Sequence, residues 1–383
     1  MKRTFLIATV VLTAAILLSS CAAQGSETGE PAPLPSATAA PGETALPTPV
    51  VVITTQTAAP QPTEPPAPTM PENLQLITYR TFVSLEELAS LPYADVIDLD
   101  FSPDHRYLRL RQALTEDTHR DTFLDLETGE EVFNLEGGQR VYFSPASVSI
   151  AALDGGSLTV YDLGTGEIKL QYNSRNDIAA LSPDGKTIIE IEAVEEGSGT
   201  TFRVLDLTTE EEVYRIFING ELDPASLQFD EDGKLLSATS FAPPNTYISA
   251  VWDLRSGRLT HTTYGYKEIA IHPFGSEIAV SNAKQSFISL VSTVTWEQKV
   301  YLGPAVDGPS FHDVAYSSRG RLIYALIDGE DGTSQAWFWY PPSGEQLPFP
   351  EERDTLAVAV SPDLQLIASS QKDGSVVLWG IPK

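Results

Sequence analysis

A short turn phrase returns seven times at nearly even spacing, and it constrains the fold more than any other feature of the chain. It reads Phe101-Ser102-Pro103-Asp104, Phe143-Ser144-Pro145-Ala146, Leu181-Ser182-Pro183-Asp184-Gly185 and Phe229-Asp230-Glu231-Asp232-Gly233. It continues as Ile271-His272-Pro273-Phe274-Gly275, Tyr316-Ser317-Ser318-Arg319-Gly320 and Val360-Ser361-Pro362-Asp363. The first residues are 42, 38, 48, 42, 45 and 44 positions apart. Proline after the serine fixes φ, and the glycine supplies the positive φ that closes a tight hairpin. A period near ~43 is that of a four-stranded unit, which must stack on its neighbours to bury both faces.

A second phrase follows each turn by roughly 20 to 25 residues, within one blade length. Its copies begin at Leu124-Asp125-Leu126-Glu127-Thr128-Gly129, Tyr161-Asp162-Leu163-Gly164-Thr165-Gly166, Leu205-Asp206-Leu207 and Trp252-Asp253-Leu254-Arg255-Ser256-Gly257. The fifth copy is degraded to Val291-Ser292-Thr293-Val294-Thr295-Trp296-Glu297. The sixth keeps Ser343-Gly344-Glu345, and the seventh stops early at Leu378-Trp379-Gly380-Ile381. Short apolar runs such as Thr187 to Ile191 and Leu322 to Leu326 lie between the phrases and have strand character.

These phrases resemble the WD40-like β-propellers, including the degenerate Ser-Pro-Asp-Gly repeats of bacterial proteins. The resemblance covers Leu74 to Lys383. It implies an all-β, seven-bladed β-propeller of four-stranded antiparallel blades, closed by an N-terminal strand. The last repeat ends after its third strand, so the fourth must come from before the first repeat. Leu74 to Tyr79 is the preferred candidate. Leu85 to Leu91 is the alternative, although its Glu86-Glu87 pair reads as a turn or short helix. The Gly-His dipeptide of the family is missing, and Trp-Asp occurs only at Trp252-Asp253. Packing and turn chemistry are therefore expected to replace the family's Asp-His-Ser/Thr-Trp hydrogen-bond network.

The N-terminus has a different character. Lys2 and Arg3 precede an apolar run from Phe5 to Leu18, too short to span a bilayer, which needs about 20 residues. Leu18-Ser19-Ser20-Cys21 then resembles the lipobox of bacterial lipoproteins. The resemblance implies a signal peptide over 1–20 and a diacylated Cys21, the chain's one cysteine. Two acyl chains hold a protein on a membrane where one does not. Residues 22–70 contain 11 prolines, 10 alanines and 9 threonines, and no Lys, Arg, Tyr, Phe or Trp. Such a segment has too little to bury to fold, so residues 21–70 read as a lipid-anchored tether and 71–383 as the propeller.

With 24 Lys and Arg against 52 Asp and Glu, the formal charge is -28. That excludes a role on nucleic-acid phosphates. A single cysteine excludes an intrachain disulfide and a cysteine-rich metal cluster. His105, His119, His261, His272 and His312 show neither HxH nor HExxH spacing. Gly137-Gly138 and Gly155-Gly156 read as hairpin glycines, and no phosphate-binding glycine motif is present.

Some residues still invite chemistry. Glu192, Glu195 and Glu196 sit in the insertion that stretches the third spacing. Asp328, Glu330 and Asp331 loosely suggest an oxygen-ligand calcium loop, the weak exception to an expectation of no cofactor. Asp98 and Asp100 alternate with apolar residues on an inner strand and point to a buried or channel-lining role. Trp337, Phe338, Trp339 and Tyr340 suit packing between blades, with an aromatic contact surface as the alternative.

No catalytic or metal-binding residue set emerges. The expectation is a non-catalytic protein–protein interaction module, tethered through Cys21 to the extracytoplasmic face of a bacterial membrane, with a protein partner in the envelope. Specificity would lie in the divergent loops 112–121, 192–200, 240–248 and 328–335. The alternative is a small-ligand-binding or hydrolytic propeller, lactonase- or glycosidase-like, that uses the central funnel.

Overall fold

A computed structural model describes residues 73–144, 147–192, 199–304, 307–329, 333–350 and 354–383. The signal peptide, Cys21 and the tether lie outside the described residues. The rest forms seven four-stranded antiparallel sheets. Blade 1 spans 96–137, blade 2 140–173, blade 3 177–218, blade 4 221–264, blade 5 266–302, blade 6 311–347 and blade 7 355–380. In blades 1 to 6 the strands follow chain order, and the first strands of blades 7 and 1, 3 and 4, 4 and 5, and 5 and 6 touch. Phe101, Phe143, Leu181, Phe229, Ile271, Tyr316 and Val360 each end an innermost strand, so the repeat phrase marks the same place in every blade.

The turn after that strand is built by its serine. Ser102 Oγ donates to Asp104 Oδ1 (2.6 Å) and accepts the Tyr107 N–H (2.8 Å). Ser182 and Ser361 repeat the donation to Asp184 and Asp363 (2.7 Å each). All three serines are buried, so the hydroxyl satisfies backbone that water cannot reach. Gly185, Gly233, Gly275 and Gly320 take the expected positive φ, and so do His105, Ser147 and Leu364 at the matching positions. The second phrase works likewise. Asp162 Oδ1 accepts the N–H groups of Gly164 (3.0 Å) and Thr165 (2.8 Å), and Asp206 Oδ1 those of Thr208 (2.7 Å) and Thr209 (3.2 Å). Glu210 holds φ 57° where Gly129 and Gly166 stand in other copies. A left-handed side-chain-bearing residue costs about 1–2 kcal/mol. Glu210 is exposed, so Glu210→Gly is expected to raise stability by up to about 1 kcal/mol, read as a higher urea midpoint at unchanged slope.

Seven apolar clusters fill the seven seams between blades. Leu99, Leu108 and Leu110 of blade 1 meet Ala357, Ala368 and Leu378 of blade 7, which joins the two ends of the ring. Phe338 and Trp339 are fully buried, in the seams with blade 7 and blade 5 respectively, so the aromatic run is core packing. Trp337 borders the blade 5 seam, and Tyr340 stacks on Tyr79 (4.6 Å).

Three expectations need correction. The closing strand is Glu86–Leu91, paired antiparallel with Val376–Gly380, and not Leu74–Tyr79. Leu74 forms only a single bridge with Pro382; the chain then turns at Thr78–Thr81 and enters a 3-10 turn over Phe82–Ser84. That detour buries Ile77 and Phe82 in the seam between blades 6 and 7. Glu86 and Glu87 lie on the outermost strand, where an edge tolerates charge. Gly155-Gly156 forms a hairpin tip, whereas Gly137-Gly138 lies on the connection between blades 1 and 2. Finally, part of the family's hydrogen-bond network is present. Trp379 Nε1 and Gln371 Nε2 both donate to buried Ser369 Oγ (2.8 and 2.9 Å). Trp252, the one Trp-Asp tryptophan, instead packs edge-on against Phe202 (5.4 Å, 88°).

Candidate functional site

Strand direction sorts the connections onto two faces. The turns carrying the two repeated phrases all lie on one face of the disc, here the turn face. The second-to-third hairpins and the blade-to-blade connections lie on the other, the loop face. Hairpins 112–121, 192–200, 240–248 and 328–335 therefore share the loop face, although residues 193–198 and 330–332 lie outside the described residues. In five blades the innermost strand carries a register irregularity toward its loop-face end, and in blade 4 the irregularity spans Asp223 to Gln228 in mid-strand. Extra residues of this kind increase the local twist of a strand and bend it.

A charge network runs across the first three strands of blade 1. Asp98 Oδ2 receives Arg109 Nη2 (2.5 Å), and Asp121 Oδ1 receives Arg111 Nε (2.9 Å) and Arg109 Nη1 (3.3 Å). Arg109 and Asp121 are buried. Burial and the Asp98 charge push the Asp100 carboxyl up to about 6 against the pull of Arg109. Burial raises the Tyr324 hydroxyl, and the charges of Asp100 and Asp98 raise it further. Arg140 of blade 2 reaches over two neighbours, with Nη1 donating to Ala179 O (2.9 Å) and Pro224 O (2.6 Å). Asp98 and Asp121 face guanidinium groups, which ties the first three strands of the blade together.

Asp100 makes a pH prediction. Its folded pKa lies above that of an unfolded aspartate, so folding binds a proton between about pH 4 and pH 6 and stability falls as pH rises through that window. Asp100→Asn is expected to raise the melting temperature at pH 7 and to leave it unchanged near pH 3.5. A thermal series across that range reads both limits.

The histidines are dispersed. His105 sits in a blade 1 turn, 4.0 Å from Asp363. His119 begins the third strand of blade 1 with a buried Nδ1 that lacks a hydrogen-bond partner. His261 stacks on Trp296, and His272 Nδ1 accepts the Phe274 N–H (3.1 Å). His312 lies within the innermost strand of blade 6, between Asp313 (2.9 Å) and Asp328 (3.3 Å). The Asp313 bond raises its pKa, and the Asp328 charge adds to that. Asp328 also receives Ser334 Oγ (2.5 Å), while Glu330 and Asp331 lie outside the described residues. Glu192 meets Arg215 (3.2 Å), and Glu195 and Glu196 lie outside as well. Among the described residues, no three His, Cys, Asp or Glu side chains are placed to hold a metal ion.

Two cavities flank the join of blades 4 and 5. One of about 400 Å³ opens at the loop-face end, lined by Glu221, Asp223, Phe241, Tyr247, Lys267 and Glu268. The other, of about 270 Å³, opens on the turn face. Sequence reasoning missed the arginine network and both cavities. Arg109-Leu110-Arg111 opposite Asp98-Leu99-Asp100 was the legible signal for the first.

The WD domain, G-beta repeat family model matches residues 351–380, which is most of blade 7. No curated protein matches the chain. Among solved structures, the chain is similar to the β-propeller domain of Myceliophteria thermophila Cps50 (Swd1), at 13% identity and TM-score 0.59. The match covers 78% of this chain and 99% of that one, and the likeness is one of fold.

Proposed function

We propose that this chain is a non-catalytic docking propeller, held at the extracytoplasmic surface of a bacterial membrane by lipid on Cys21, whose loop face binds a protein of the cell envelope. The supporting observation is the segregation of sequence between the faces. Repeated turns occupy one side, and the divergent hairpins gather on the other. A rigid ring that presents variable loops together is a scaffold for recognition. An acidic surface favours a partner with a basic contact patch and suppresses binding to anionic lipid away from the anchor.

Shortening hairpins 114–118 and 243–245 to two-residue turns tests the loop face. Partner capture is expected to fall at least tenfold while melting stays within a few degrees. Undiminished capture by a folded variant would remove the loop face from the proposal. Metabolic labelling with an alkyne fatty acid tests the anchor separately: label is expected on the native chain and absent from Cys21→Ala.

A further inference from the structure

One copy of the first repeat phrase carries a carboxylate where its turn needs only one oxygen. Asp230 of blade 4 stands where Ser102, Ser144, Ser182, Ser317 and Ser361 stand in other copies. In all five, a single hydroxyl oxygen accepts the N–H five residues further on. Asp230 Oδ1 does the same, accepting the N–H groups of Lys234 (2.6 Å) and Leu235 (2.8 Å), so Oδ2 is surplus to the turn. Among the described residues no hydrogen bond reaches Oδ2, and no Lys, Arg or His forms an ion pair with the group. Lys234 pairs with Asp232, and Arg255 with Asp253 (3.2 Å). Asp230 is 4% exposed. A buried carboxylate ordinarily has a cation or several donors, because its charge is costly to desolvate. Burial pushes the Asp230 pKa up against the pull of its two backbone bonds, as it does for a carboxylate short of counter-charge.

The free oxygen faces a cavity. Asp230 lines the space of about 270 Å³ on the turn face at the join of blades 4 and 5. Gly275 of blade 5 lines it too, and a Cβ there would stand 3.2 Å from Asp230 Oδ2. Two aromatic residues complete the wall, and both depart from the repeat. Phe274 stands where Asp104, Asp184 and Asp363 stand in other copies, and Trp296 where Gly129, Gly166, Gly257 and Gly344 stand. His261 stacks flat on the indole at 4.3 Å and 2° and fixes its orientation. Asp230, Asp232 and Asp253 outnumber Lys234 and Arg255, so the surroundings carry a net negative charge. The volume lies below the roughly 300–1,000 Å³ of small-molecule sites, which suits one side chain better than a cofactor.

We infer that this turn-face pocket seats a lysine side chain of a protein partner, with its ammonium on Asp230 Oδ2 and its methylenes along Phe274 and Trp296. A lysine lays its stem on apolar surface while its head finds a charge, and an ammonium near an aromatic ring gains further. Arginine fits less well, because its fork addresses two oxygens and Oδ1 already holds two N–H groups. The charge balance selects the source. At -28 per chain, a second copy and the phosphate of an amine lipid are both repelled. The site lies on the face opposite the divergent loops and stands independently of the loop-face reading.

The test uses the full lipidated chain in phosphatidylglycerol nanodiscs, whose lipid carries no amine, at about 0.15 M salt to screen exposed charges. N-acetyl-lysinamide is the probe, and N-acetyl-norleucinamide, the same stem without the charge, is the control. Saturation-transfer NMR is expected to show saturable binding of the lysine amide alone. Asp230→Asn keeps an oxygen for the two backbone N–H groups and removes the charge; Asp230→Ser restores the phrase of the other blades. Both are expected to hold or raise the melting temperature and to weaken probe binding at least tenfold. Glu231→Gln removes the same charge from an exposed neighbour and should leave binding within about twofold. No saturable binding of the lysine amide, equal binding of the norleucine amide, full binding by a folded Asp230→Ser chain, or an equal loss in Glu231→Gln would overturn the proposal. So would a dimer in sedimentation that Asp230→Ser dissolves, or displacement of the probe by phosphatidylethanolamine vesicles, since each assigns the pocket to another occupant.

Discussion

Leu91→Asp is expected to cost most of the stability of the propeller and to turn one cooperative unfolding transition into a broad one. Leu91 is 2% exposed, pairs with Val376 and packs in the cluster that joins blades 7 and 1. Truncating a buried leucine costs about 2–5 kcal/mol. Placing a carboxylate there adds the cost of desolvating a charge or protonating it. The sum approaches the whole margin of a typical domain, about 5–15 kcal/mol. An opened ring also leaves Val376–Gly380 as an unprotected edge. Gln75→Ala is the control. Gln75 is exposed and its amide bonds the Pro382 carbonyl, so its loss should stay within about 0.5 kcal/mol. Guanidinium unfolding followed by circular dichroism compares the two. A large cost at Gln75 and a small one at Leu91 would return the closing role to residues 74–79.

Asp121→Ala is the second severe change. Asp121 is 1% exposed and stands between Arg109 and Arg111. Removing it leaves two guanidinium groups short of a counter-charge in a poorly hydrated wall, a loss of about 3–5 kcal/mol. For a domain of this size that is a fall of roughly 5–10 °C in melting temperature. Arg109 retains Asp98, so the damage should centre on Arg111, whose Nη2 also bonds the Gln139 carbonyl (2.9 Å) at the seam with blade 2. Asp121→Ala with Arg111→Met is expected to recover part of the loss, because a methionine fills the space without a charge. A double variant no better than the single one would deny that an uncompensated charge is the cause.

The blade count and inner-strand ends were legible because turn chemistry is local. A serine two residues before an aspartate, or an aspartate two before an amide, satisfies its neighbours whatever the rest of the chain does. The left-handed positions at His105, Leu364 and Trp296 show that the turn survives loss of its glycine, so the repeat persists where its letters fade. Ring closure was harder to read. An outermost strand buries one side at most, and Glu86-Glu87-Leu88-Ala89-Ser90-Leu91 accordingly carries little apolar alternation. Leu74 and Ile77 look more like strand residues, but they serve as side-chain plugs in the seams. The Arg109–Asp121 network escaped notice because its partners lie 12 positions apart and meet only through strand pairing.

The docking role is tested most directly by in-cell crosslinking and mass spectrometry on the native chain, with Cys21→Ala alongside. The account predicts one stoichiometric envelope protein, linked mainly to loop-face hairpins, and a sharp loss of those links in the Cys21→Ala chain. Crosslinks no richer than background, or a partner captured equally without the anchor, would contradict it.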